Sequence, residues 1–120
     1  MGSRTEVLDS KISNSPVARL WKLDSMIITM TADNLVLSAS MPPVLYIDPG
    51  GAARDVLLPP IADWVGAAFI IFNQADAAEA ITLKTSADAA LTPAVDVLQN
   101  EGVIVHNDGT RIRALVSANT

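Results

Sequence analysis

The chain contains no cysteine and only one histidine, His106. The absence of cysteine excludes disulfides, thiolate nucleophiles and most structural zinc sites. A single histidine among scattered carboxylates does not define a Ser-His-Asp arrangement, and an exposed side chain beside two arginines is the simpler interpretation of His106. We therefore predict that the protein is not an enzyme and has no catalytic residue, cofactor or metal.

Aromatic residues and long apolar runs are also scarce. Aromatics make up 4% of a chain that is 50% hydrophobic, so its apolar mass is alanine, valine, isoleucine and leucine. No run approaches the roughly 18 uncharged apolar residues that cross a bilayer. The first residues, MGSRTEVLDSK, lack the apolar segment of a signal peptide. We expect a protein made in a cytoplasm, without a membrane partner.

Acidic side chains outnumber basic ones by 13 to 8, but the charge is unevenly distributed. Residues 1–30 carry a net charge of +1 and the remainder carries −6. The acidic body would repel nucleic acid, so no nucleic-acid partner is expected. The weakly basic leading segment fits either a solvated tail or a contact with an acidic neighbouring protein.

That leading segment, residues 1–25, is predicted to be an N-terminal arm. It is rich in serine and charge and shows neither clean alternation nor a helical stripe. Its only strongly apolar cluster is Leu20, Trp21 and Leu23. Because ordering a chain costs about 1–2 kcal/mol per residue in backbone entropy, we expect these three side chains to anchor the arm on another subunit.

Residues 26–120 show the pattern of one β domain. Short apolar runs alternate with turn residues at spacings typical of a sandwich or barrel. We predict an all-β fold, an antiparallel β-sandwich or jelly-roll-like module, in which Ala-rich pieces such as residues 75–80 are loops. The predicted strands are 26–30, 35–39, 44–47, 54–58, 67–73, 80–85, 94–98, 102–107 and 111–117.

The small-residue stretch VLYIDPGGAARDVLLPP, residues 44–60, resembles a ligand loop at first sight. Pro49 and Gly50 fit the second and third positions of a type II turn. A phosphate cradle needs a glycine spacing such as G-x-G-x-x-G followed by a helix, whereas here a second apolar run and Pro59-Pro60 follow. We therefore predict a turn and no phosphate site.

The last hairpin is the most regular pattern. A two-residue turn at Asp108-Gly109 would pair His106 with Arg111 and Val105 with Ile112. One face would then be apolar and the other mostly polar. The predicted inner residues are Val103, Val105, Ile112, Ala114 and Val116, and the outer ones are Ile104, His106, Arg111 and Arg113.

The strand at residues 67–73 differs from that hairpin because both of its faces are apolar. Phe69 and Ile71 point one way, while Ile70 and Phe72 point the other. Such a strand is either covered on both sides within the domain or packed against a neighbouring subunit. The high apolar fraction favours an oligomer, so Ile70 and Phe72 join Leu20, Trp21 and Leu23 as predicted partner-interface residues.

Taken in order, four segments resemble small β-modules of tailed-bacteriophage structural proteins, particularly head decoration proteins and fibre-like modules. The resemblance covers residues 30–117. Leu58-Pro59 corresponds to a leucine-proline strand end, residues 66–73 to a G-x-x-F-x-I-x-N strand, and Asp108-Gly109 followed by Arg111 to a D-G-x-x-W hairpin whose tryptophan is absent here. The segments are MTADNLVLSAS, PVLYIDPGGAARDVLLPP, GAAFIIFNQADAAEAITLKT and DVLQNEGVIVHNDGTRIRAL.

The resemblance implies a structural virion protein that decorates and stabilises a phage capsid after synthesis in the host cytoplasm. Its implied partners are the major capsid protein and copies of itself, with a trimer favoured. The alternative is a tail-fibre or spike β-module that binds a host surface receptor. Decoration is favoured because the chain is one small domain with an arm, shows no internal repeat, and has few aromatics to spare for sugar faces.

Overall fold

The structure, a computed structural model, describes residues 23–117, and in that range it is almost entirely β. Each of the nine predicted strands has a counterpart, which confirms the all-β fold class. The only helical element among these residues is a short 3-10 turn at Ile61–Asp63. The strands are β1 (Ser25–Thr29), β2 (Asn34–Val36), β3 (Val44–Asp48), β4 (Arg54–Leu57), β5 (Ala68–Asn73), β6 (Ile81–Lys84), β7 (Ala90–Val97), β8 (Gly102–Asn107) and β9 (Ile112–Ser117).

The strands form two sheets between which the chain alternates. The five-stranded sheet has the order β1-β3-β5-β8-β9, and the four-stranded sheet has the order β2-β4-β6-β7. Between β1 and β6 every connection carries the chain to the opposite sheet, so these six strands form three turns of a coil. The last three strands then pair antiparallel to their neighbours and complete both sheets.

The sheets are mixed, whereas an antiparallel module was predicted. Four of the seven strand pairings are parallel, namely β1 with β3, β3 with β5, β2 with β4 and β4 with β6. The reason is that the four to seven residues after β1, β3 and β5 carry the chain to the other sheet instead of closing a hairpin. A strand that returns to the same sheet after two crossings runs parallel to its predecessor.

The core lies between the two sheets and consists mainly of aliphatic side chains. Strand β5 alternates as predicted, with Phe69 and Ile71 buried and Ile70 and Phe72 on the opposite side. Trp64 closes the core next to the 3-10 turn, where its indole N–H donates to the Pro59 carbonyl at 3.0 Å. The most deeply buried aliphatic residues are Leu45, Ile47, Val56, Leu58, Ile71, Ile81, Leu83, Val97 and Val105.

The glycine loop at residues 49–53 is a crossing between the sheets. Gly50 has a φ of +79°, the left-handed conformation predicted for it, and its N–H donates to the Asp48 carboxylate at 2.9 Å. A side chain at this position would collide with the Met30 carbonyl. Strand β4 follows the loop, so the helix that a phosphate cradle requires is not present at this place.

The final hairpin has the predicted faces but a different register. His106 pairs with Arg113 and Val105 with Ala114, a shift of two residues from the prediction. The Asp108 carboxylate accepts the N–H groups of Thr110 and Arg111, both at 2.8 Å, so the connection is a four-residue loop instead of a two-residue turn. A shift of two residues leaves each side chain on its predicted face, although Arg111 lies in the loop before β9.

Candidate interaction surface

The side of the five-stranded sheet that points away from the core carries two rows of side chains that cross all five strands. We call these ten residues the outer face. Seven of them are aliphatic or aromatic. The first row is Ser25, Val44, Ile70, Ile104 and Leu115, and the second is Ile27, Tyr46, Phe72, Gly102 and Ser117.

Much of this apolar surface is open to solvent. The exposed fraction is 81% for Ile27, 73% for Leu115 and 47% for Ile104. Ile70 and Phe72 lie at the centre of the face and are half-buried by their neighbours. Of the elements in residues 23–117, none packs over this face. Single exposed aliphatic side chains are ordinary, but a contiguous row across a sheet is characteristic of an interaction site.

Aromatic side chains shape the middle of the outer face. The rings of Tyr46 and Phe72 stack with centroids 5.3 Å apart and planes inclined by 17°. On the next strand Gly102 has no side chain, and the surface there dips into a shallow groove of about 310 Å³. The groove is lined by Ile70, Phe72, Gly102, Ile104, Leu115 and Ser117.

Polar groups border the outer face beyond its first row. His106 and Arg113 are neighbours in the row beyond Ile104 and Leu115. The Arg113 Nε donates to the Asp108 carboxylate at 3.1 Å. The pKa of Asp108 lies well below its ordinary value, first because Arg111 and Thr110 donate backbone N–H bonds and then because Arg113 donates a side-chain bond. An apolar centre with a polar rim is the usual anatomy of a protein–protein interface.

The outward side of the four-stranded sheet has the opposite character. The Lys84 ammonium lies 3.1 Å from the Asp55 carboxylate and 3.6 Å from that of Asp88. Hydrogen bonding and charge attraction from Asp55 raise the pKa of Lys84. Thr82 donates to Asp96 at 2.8 Å on the same side. Within residues 23–117 this outward side is therefore mostly charged and solvated, with Val36 as an exposed aliphatic exception.

The outer face offers apolar surface area and few groups that could bind a metal or react. Within residues 23–117, no three histidine, aspartate or glutamate side chains lie close enough to hold a metal ion. No helix in the described part of the chain is long and apolar enough to cross a bilayer. What the outer face can do is bury surface against another molecule, and its aliphatic composition suits a protein partner.

The structure describes three of the five predicted partner-interface residues. It places Ile70 and Phe72 together at the centre of the outer face. Leu23 precedes β1 and is 49% exposed. Leu20 and Trp21, with most of the predicted arm, lie outside the described residues. Sequence reasoning missed Ile27, Tyr46, Ile104 and Leu115 as members of one surface, because only the strand order brings them together.

Comparison with known proteins gives no match to a family model, a curated protein or a solved structure. The fold and the surface described above define a class of protein: a β-rich protein whose five-stranded sheet has an apolar outward side in residues 23–117.

Proposed function

We propose that this protein is a structural subunit that binds neighbouring proteins through the outer face. The observation that carries the proposal is the exposure of Ile27, Ile104 and Leu115 on one continuous surface, with a polar surface on the opposite side of the molecule. A contiguous apolar patch on the surface of a soluble protein often marks an interaction site. Burying each of these side chains on a partner would contribute about 1.5–3 kcal/mol.

The assembly that we propose is a bacteriophage capsid, which the protein would decorate and stabilise. The sequence segments that resemble phage decoration modules support this assignment, and a one-sided apolar sheet is the surface such a subunit needs. The partners would be the major capsid protein and copies of this chain, for which the sequence resemblance favours a trimer. Residues 1–25 would add a second contact through Leu20, Trp21 and Leu23. The role needs no catalysis, metal or cofactor.

The energetics of association fit a repetitive shell. Association costs about 4–15 kcal/mol in lost translational and rotational freedom, so burying a few aliphatic side chains gives only modest affinity for one subunit. On a capsid each copy contacts several neighbours at once, and multiple contacts raise the overall affinity without any new type of contact. A small subunit with one apolar face is therefore suited to a lattice of identical partners.

The second candidate, a fibre or spike module for a host receptor, has one observation in its favour. The Tyr46–Phe72 pair lies on the outer face, and aromatic rings can stack on apolar sugar faces. However, their neighbours in the same row are Ile27, Gly102 and Ser117, which offer few polar groups for sugar hydroxyls. An aliphatic surround suits a protein surface better, so decoration is the preferred function.

The experiment is cosedimentation of the purified chain with phage heads assembled without it. Ile104→Lys and Leu115→Lys should each abolish attachment, because each places a charge within the apolar surface that a partner would bury. Val36→Lys is the matched control, since Val36 is also an exposed aliphatic residue, 63% exposed, but belongs to the four-stranded sheet. Equal attachment of all three variants would disprove the role of the outer face. Binding to a glycan array that Phe72→Ala abolishes would favour the receptor module instead.

A further inference from the structure

Strand β1 is an edge strand without the protection that the other sheet edges have. Edge strands are usually blocked by charged residues, proline or shortness. Strand β9 contains Arg113, β7 contains Pro93, and β2 is only three residues long. Residues Ser25–Thr29 contain neither a charge nor a proline, and Ile27 and Met26 are 81% and 40% exposed. Such an edge readily accepts a further strand.

The backbone of β1 presents a defined set of groups at that edge. The Asp24 carbonyl accepts from the Val44 N–H at 3.3 Å, and the Met30 N–H donates to the Asp48 carbonyl at 2.8 Å. These two residues therefore direct their backbone groups toward β3. Since the direction alternates along a strand, Ser25, Ile27 and Thr29 direct theirs away from the sheet. Among residues 23–117 no other strand pairs with them.

We propose that a second copy of this chain adds its own β1 to this edge, antiparallel and around a two-fold axis at Ile27. In that register Ile27 lies opposite Ile27 and Ser25 lies opposite Thr29. All three outward-directed residues of each copy then form hydrogen-bonded pairs. The contact is isologous and therefore closes on itself, since β3 already occupies the other edge of each β1.

The side chains favour the same register. Ile27 of one copy lies opposite Ile27 of the other on the outer face. The inward-pointing Met26 lies opposite Ile28 of the other copy, so apolar side chains also pair on the core side of the joined sheet. Asp24 falls opposite Met30, which keeps the acidic groups of the two copies apart. A slip by one residue would place inward side chains opposite outward ones and would misalign the backbone groups. The charge-free composition of β1 thus fits a copy of itself.

The pairing would join two five-stranded sheets into one sheet of ten strands. The outer faces of the two copies would then be continuous, which doubles the apolar surface offered to a partner. The pairing does not depend on which partner binds there. It differs from the trimer that the sequence resemblance favours, because an isologous edge contact produces pairs, and the particle mass distinguishes the two.

The first test measures the mass of the full chain by light scattering over a range of concentrations. The wild type should give twice the chain mass. Ile27→Pro removes an outward-directed N–H and leaves the β1–β3 hydrogen bonds intact. Ile27→Lys places two like charges next to each other at the two-fold axis. Both variants should therefore be monomers. Leu115→Lys is the matched control on the other edge strand of the same sheet and should keep the wild-type mass while losing attachment to heads. A monomer at every concentration, or a trimer, overturns the proposal.

The second test is disulfide cross-linking through one introduced cysteine, which is specific because the chain has no cysteine of its own. The Cα atoms of a hydrogen-bonded antiparallel pair lie about 5.5 Å apart, which is within the range of a disulfide. Ile27→Cys should therefore oxidise to a covalent dimer under mild conditions, whereas Leu115→Cys should stay monomeric under denaturation. Failure of Ile27→Cys to cross-link, or equal cross-linking by the two variants, overturns the register.

Discussion

The ring of Phe72 occupies the space that a side chain at Gly102 would fill on the neighbouring strand. A Cβ atom at position 102 would lie 2.8 Å from Cδ1 of Phe72 and 2.9 Å from its Cε1, closer than real Cβ contacts. On its other side the ring stacks on Tyr46. Gly102 therefore has a packing reason to be glycine, since its missing side chain lets Phe72 lie across the sheet.

The first prediction follows from this contact. Gly102→Ala should lower the free energy of unfolding by about 1–3 kcal/mol, because the Phe72 ring must move. In a Phe72→Ala background the same change should be neutral or should stabilise by about 0.5–1 kcal/mol, since alanine restricts the unfolded chain more than glycine does. Urea unfolding of the wild type, the two single variants and the double variant measures the difference in a double-mutant cycle. An equal cost in both backgrounds would show that the ring is not the obstacle.

Local patterning predicted the strands and their faces but not how the strands pair. The alternation of Phe69 and Ile71 with Ile70 and Phe72 identified both faces of β5 correctly, because side chains on a strand repeat every two residues. The same alternation occurs whether a neighbouring strand is parallel or antiparallel. The crossings between sheets, which make β1, β3 and β5 parallel, were therefore not predictable from the strands themselves.

The hairpin register and the extent of the outer face depended on contacts that the residue pattern does not encode. Asp108-Gly109 is a common two-residue turn, but here the carboxylate bonds two successive N–H groups and lengthens the loop. Ile27 and Leu115 are far apart in sequence and lie at opposite edges of one sheet. Of the outer-face residues, Ile70 and Phe72 were predicted to contact a partner because both faces of their strand are apolar, and Ile104 was predicted only to lie on the outer side of the last hairpin.

A second prediction concerns Asn73, a polar residue that is fully buried at the end of β5. Its amide donates to the Glu79 carbonyl at 2.7 Å and to the Val97 carbonyl at 2.9 Å, and its oxygen accepts the Ala75 N–H at 2.9 Å. These bonds fix the loop before β6 and tie β5 to β7 of the other sheet. A sequence pattern gives no sign of them, since asparagine is also a common turn residue.

Asn73→Leu should lower the free energy of unfolding by about 2–4 kcal/mol, because it removes the donor to the Glu79 and Val97 carbonyls and the acceptor of the Ala75 N–H. The neighbouring exposed residue Gln74 provides the control, and Gln74→Leu should change stability by no more than about 0.5 kcal/mol. Denaturant unfolding measures both variants. Similar stability of Asn73→Leu and the wild type would mean that the buried hydrogen bonds contribute little to joining the sheets.

The third prediction is a pH dependence that originates in the last hairpin loop. The Asp108 carboxylate accepts N–H bonds from Thr110, Arg111 and Arg113, and all of these favour its charged form. The pKa of Asp108 is consequently held well below its ordinary value of 3.8. A carboxyl group whose pKa is lower in the folded than in the unfolded state stabilises the fold above the unfolded pKa, and this contribution is lost as the pH falls toward the folded pKa.

The wild type should therefore lose stability relative to Asp108→Asn as the pH falls from about 5 to about 2, because asparagine can accept the same N–H bonds but does not titrate. Arg113→Gln should retain most of this pH dependence, since the backbone N–H bonds from Arg111 and Thr110 lower the pKa of Asp108 more than Arg113 does. Urea unfolding of the three proteins over that pH range, with NMR titration of the Asp108 carboxyl, provides the measurement. If the wild type and Asp108→Asn lost stability in parallel on acidification, the hairpin carboxylate would not be the group that links folding to pH.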